Sequence, residues 1–127
     1  MTGKQAKELV RRYLGYRWLK AGNDFAKKKV IGAALLRFER DFGKTDDFAR
    51  ISRGQLADLL LRAKGETPAT DGSKGFTDEA GIWKDAVATM RVKYAFKWKD
   101  QFAERYFQPD KTITIGESLY LAEKIGP

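Results

Sequence analysis

The sequence predicts an all-α fold, on three observations. Apolar residues recur at three- and four-residue spacing in several segments. Helix-start signals stand directly before some of those segments, and only Thr112 to Ile115 reads as extended. The expected architecture is a basic N-terminal helix-turn-helix arm followed by a helical bundle with one long aromatic-rich helix. With 127 residues the chain has room for one core. The arm (1–43) and the bundle (44–127) are therefore expected to form one continuous unit.

The elements follow in order. From Lys4 to about Ala21, the residues Ala6, Leu9, Val10, Tyr13 and Leu14 form one apolar stripe, with Lys4, Lys7, Arg11 and Arg12 on the other side. After Gly15 the stripe loses phase: Arg17 and Lys20 rotate onto the apolar face, and Trp18 onto the basic one. Gly22-Asn23 marks a stop, and Asn23 or Asp24 can cap the next helix. That helix, Asp24 to Phe42, sets Ile31, Leu35, Phe38 and Phe42 against Lys29, Gly32, Ala33 and Arg40. The two small residues suit a close approach by a partner. Gly43 ends it.

Ser52-Arg53-Gly54-Gln55 fits a capping box, with Ile51 and Leu56 as its hydrophobic staple. Leu56, Leu59, Leu60 and Ala63 make the core stripe, and Gly65 suits the C-terminal glycine position. A polar loop runs from Glu66 to Gly75. Thr77-Asp78-Glu79 then opens a helix that no Gly or Pro interrupts from Ile82 to Gln108, reaching about 45 Å. One stripe comprises Trp83, Ala86, Val87, Met90, Tyr94 and Trp98, drifting to Phe102 and Tyr106. A second comprises Val92, Phe96, Ala103 and Phe107. Two stripes imply burial from two directions, and the expected second partner is another subunit, through Val92, Phe96, Phe102, Tyr106 and Phe107. After Pro109-Asp110, a short helix is expected from Glu117 to Ile125.

Composition removes whole classes of function. There is no cysteine and no histidine, so disulfides, ordinary zinc sites, thiol chemistry and histidine acid–base catalysis are excluded. No enzyme activity, cofactor, metal or small-molecule substrate is expected. The longest apolar run, Val30 to Leu36, is too short to span a membrane, and no secretory signal is evident. Few amides and methionines beside many charges match the composition associated with thermophiles.

The net charge of +8 is segregated. Residues 1 to 37 carry Lys4, Lys7, Arg11, Arg12, Arg17, Lys20, Lys27, Lys28, Lys29 and Arg37 against only Glu8 and Asp24. The rest of the chain is balanced. Such segregation favours a polyanionic partner, nucleic acid ahead of an acidic membrane or acidic protein. Lysines and arginines neutralise phosphates without reading sequence. Lys27-Lys28-Lys29 spreads charge around almost a full helical turn. Tyr16 and Trp18 can stack on bases, or instead seal a helix–helix contact.

Other signals are weaker. Gly72-Ser73-Lys74-Gly75 does not match a phosphate loop. Asp100 and Glu104, among Lys97, Lys99 and Arg105, read as a solvated face. Ile51 to Leu61 is like the first helix of a sequence-reading helix-turn-helix, but a loop with Pro68 follows where the recognition helix should stand.

The layout of basic helical arm, Lys4 to Phe42, and bundle, Ser52 to Phe107, resembles the major coat proteins of filamentous viruses of hyperthermophilic archaea. The sequence echo is Arg12-Tyr13-Leu14-Gly15-Tyr16-Arg17-Trp18. The resemblance implies an arm that wraps double-stranded DNA in A-form, its ten cations on phosphates. It also implies a virion or DNA-associated location, and subunits, identical or paralogous, that build a helical filament. The function expected is thus a non-sequence-specific DNA-binding coat or packaging protein. The alternatives are a small phage or plasmid DNA-binding regulator or recombination accessory protein, and an inhibitor of an acidic protein surface.

Overall fold

The structure is a computed structural model that describes residues 1–68, 81–99 and 106–126. Among these residues it is all-helical, with α1 (Gly3–Ala21), α2 (Phe25–Asp41), α3 (Arg53–Ala63), α4 (Lys84–Tyr94) and α5 (Ile115–Ile125). The expected helix start at Thr77-Asp78-Glu79, the Gly72–Gly75 segment, the Asp100–Glu104 pair and Phe102 lie outside the described residues.

α1 begins one residue before its expected start because Thr2 and Gln5 form a reciprocal capping box. Its amides at Gly3 and Lys4 donate to the carbonyls of Ala49 and Asp47, 2.7 and 3.0 Å away. Gly22 turns the chain at φ +56°, in the left-handed half of backbone space that glycine enters at little cost. Asp24 then caps α2 through the Lys27 amide. Contacts between Arg11 and Glu39, and between Trp18 and the Gly32 position, show α1 and α2 running antiparallel. Ala6, Val10 and Leu14 of α1 and Ile31, Ala34 and Phe38 of α2 are buried. Ala34 takes the core place expected for Leu35, which is largely at the surface.

Ser52 caps α3 through the Gln55 amide, which is one half of the expected capping box; the Gln55 side chain does not return the bond to the Ser52 amide. α3 packs against each of the other four helices, and Arg62 is its one exposed residue. It is the central helix of the described bundle, with almost no open face of its own. Trp83 sits directly over Gly54; a β-carbon there would lie 2.7 Å from the indole. Of the extended piece expected from Thr112 to Ile115, Thr112 forms an isolated antiparallel bridge with Ser52 and the amide of buried Ile113 donates to the Ile51 carbonyl at 2.9 Å, whereas Ile115 is already helical. α5 opens at Ile115, ahead of expectation, on a second capping box, Thr114 with Glu117.

The expected long helix is not formed. α4 stops at Tyr94, Ala95 adopts a left-handed conformation, and the amides of Ala95 and Phe96 both turn back to the Met90 carbonyl. The break sends Phe96 and Trp98 into the same core. Phe96 meets Trp98 edge-on at 4.7 Å between centroids, and Phe107 and Tyr120 close around them. The seam expected between subunits is corrected accordingly. Phe96 (1% exposed) and Phe107 belong to the chain's own core, while Val92 and Tyr106 remain at the surface.

Candidate nucleic-acid interface

The two ends of the α1–α2 hairpin differ in kind. Up to Leu14 in α1, and from Ile31 in α2, core residues recur at helical spacing. Between them, from Gly15 to Val30, no residue is buried. The phase loss after Gly15 is the cause: Arg17 takes the place a core residue would need, and the distal half of the hairpin is left largely exposed. At 1.5 Å per residue, Gly15 to Ala21 covers about 10 Å of α1.

This distal half carries Arg17, Lys20, Lys27, Lys28 and Lys29 against Asp24 alone, and the Asp24 carboxylate is engaged by the Lys27 amide at 3.1 Å. The first turn of α2 contains no acid. Lysines there oppose the helix dipole, which favours anions at this end. Lys27 and Lys29 are exposed, and no described acid pairs with them. Arg12, Lys20 and Arg37 share that state, as does Lys4 at the near end.

Other predicted contacts are engaged within the fold. Lys7 is buried, its ammonium 2.9 Å from Asp47, so it is removed from the phosphate-contacting set. Arg11 grips Glu39 with two hydrogen bonds of 2.6 and 2.8 Å. That bond raises the arginine's affinity for its proton and holds the Glu39 carboxyl below its usual range. Arg17 is half-buried and donates to the Ala63 carbonyl, at the C-terminal end of α3 where helix carbonyls lack partners. Its guanidinium anchors the hairpin to the bundle.

Trp18 lies against Gly32, which therefore faces α1 and not an outside partner. Lys28 sits over the Trp18 ring at 5.0 Å and Lys20 over Tyr16 at 5.3 Å. The aromatics thus hold two of the cations in place while keeping roughly half their own surface exposed. Both expectations for them, stacking and sealing, are compatible with this geometry. Comparison with family models, with curated proteins and with solved structures gave no match to this chain.

Sequence reasoning missed two parts of this region. Leu19, Phe25 and Leu36 are exposed large apolar side chains on the hairpin. Their positions off the core stripes were the available signal. It also missed Arg53, which is 1% exposed. Arg53 is stacked over Trp98 at 4.3 Å, donates to the Phe107 carbonyl at 3.2 Å and pairs with Glu117. No group of carboxylates that could hold a metal occurs among the described residues, and no described helix is long and apolar enough to cross a membrane.

Proposed function

We infer that this chain is a non-sequence-specific DNA-binding structural protein whose contact surface is the distal half of the α1–α2 hairpin. The observation that carries the reading is the set of exposed cations, without described acidic partners, on a stretch where nothing is buried. Phosphate contact is the chemistry such a surface supports. Lys20, Lys27, Lys28 and Lys29 are the phosphate ligands of that half in this reading, with Trp18 beside them, Arg12 and Arg37 next in line along the hairpin, and Lys4 at its other end.

We extend the reading to packaging. The hairpin supplies the grip, and copies of the chain, or of a paralogous subunit, assemble along the duplex as in the filamentous virus coat proteins that the layout resembles. Val92 and Tyr106, both at the surface, stay available for subunit contacts.

The test is a salt titration of duplex binding. The slope of log affinity against log salt should be near −0.9 per contacted phosphate on B-form DNA. Changing Lys27, Lys28 and Lys29 to Gln should make the slope shallower by up to about three such units, equally for unrelated sequences. The same change at Lys93, Lys97 and Lys99 should alter it far less. Equal losses from both triple variants would defeat the assignment. Electron microscopy of the complex tests packaging: filaments are expected, and isolated bound copies would remove that part.

A further inference from the structure

Cations account for a grip on phosphates, but not for the apolar side chains set among them. Phe25 is 84% exposed and Leu19 is 78% exposed. They flank the Gly22 turn, Leu19 in the last turn of α1 and Phe25 as the first residue of α2. Ile31, Ala34 and Phe38 define the core face of α2. A helix advances 100° per residue, which puts Phe25, Lys29 and Leu36 together on the opposite face. The Gly22 turn is therefore flanked by two large exposed apolar groups, on a stretch that also carries Lys20, Lys27 and Lys29.

We propose that Phe25, with Leu19 beside it, enters a base step of duplex DNA as an apolar wedge while the surrounding lysines hold the flanking phosphates. The proposal rests on the DNA reading above and adds a second kind of contact to it. A phenyl ring can stack on the face of any base, so the wedge needs no particular sequence. Inserting it partly unstacks one step and kinks the duplex. Pyrimidine–purine steps, the easiest to open, should yield first.

Charge placement favours this occupant over an anionic bilayer. A helix lying in a membrane interface needs one continuous apolar face. At 100° per residue Phe25 lies between Lys28 and Lys29 around α2, about 60° from one and about 40° from the other. The face that carries Phe25 cannot then enter acyl chains without taking those charges along. A polyanion with gaps between its stacked bases accepts apolar points set among cations.

The experiment uses a short duplex with a fluorescent adenine analogue at a thymine–adenine step, titrated with the full chain, Phe25→Ala and Phe25→Leu. Binding of the parent should raise the fluorescence as the step unstacks. Phe25→Ala should abolish the rise and weaken binding about fivefold or more, with the salt slope unchanged because no phosphate contact is lost. Phe25→Leu should keep most of the rise, since leucine also serves as a wedge. A parent that binds without any rise, or a Phe25→Ala variant that matches it, overturns the wedge and leaves the DNA reading intact. A parent that ignores the duplex but binds phosphatidylserine vesicles overturns both.

Discussion

Arg53 is the residue on which most of the bundle's polar chemistry converges. Its guanidinium is stacked over Trp98 and shares the Phe107 carbonyl with the Trp98 indole N–H, which donates at 2.8 Å. Its backbone amide donates to the Lys111 carbonyl. Glu117 supplies the compensating charge and, through its other oxygen, caps the Thr114 amide at 3.0 Å. Burial alone would push the Glu117 carboxyl up. The Arg53 hydrogen bond and charge, together with the Thr114 backbone, outweigh it and leave the group below its usual range. A carboxylate depressed in the folded state stabilises fully above its unfolded pKa, about 4.3, and that contribution is lost as pH falls through the folded value. Glu117→Gln keeps the cap but removes the charge, leaving a buried guanidinium uncompensated. Urea unfolding at neutral pH should register a loss of about 3 kcal/mol, and the acid limb of stability below about pH 4.3 should flatten. An unchanged acid limb would place the titrating pair elsewhere.

At the scale of elements, what was legible in the sequence depended on whether local signals and packing agree. The α1–α2 turn, the Ser52 cap and the Gly65 stop are each written in residues with one structural meaning, and they occur where the sequence puts them. The start of α5 is written in Thr114 and Glu117 as well, two residues ahead of the apolar run that suggests a helix from Glu117. The distal hairpin was legible as charge and as a loss of phase, while its exposed Leu19 and Phe25 were not. The stop after Tyr94 had no local sign. Residues 82–108 contain neither glycine nor proline, yet Phe96 and Phe107 of the second stripe share one core with Met90 and Trp98 of the first. Tertiary packing of Phe96, Trp98 and Phe107 overrides propensity at Ala95, which sits at φ 49° and ψ 37°. A left-handed alanine costs about 1 kcal/mol relative to its preferred state. Ala95→Gly should therefore raise stability by up to about 1 kcal/mol in denaturant unfolding, whereas in a continuous helix it would lower stability by a similar amount. The sign of the change decides between the two.

The whole molecule separates its tasks in space: a closed aromatic core in the bundle, and an open, cation-rich end on the hairpin. That division alters what an assembly-blocking variant must look like. Phe96→Glu, natural for a seam between subunits, here puts an unpaired carboxylate among Trp98, Phe107 and Tyr120. The expected outcome is loss of helicity by circular dichroism, with destabilisation of at least about 4 kcal/mol. A variant that stays helical but stops assembling would restore the subunit seam. On the DNA reading proposed above, changes to the exposed lysines of the distal hairpin should act oppositely, altering binding while leaving the fold intact, because no core residue lies between 15 and 30.

That α3 touches all four other helices also matters while the chain is being made. α1 and α2 precede α3, so the nascent chain can form its hairpin and lay it on α3 as soon as Ala63 has emerged. The side of α3 that meets α4 stays bare until Tyr94 has been made, and the side that meets α5 until Ile125 has been made. For that interval part of the apolar surface of α3 is uncovered, the kind of surface that chaperones hold and that drives aggregation when translation stalls.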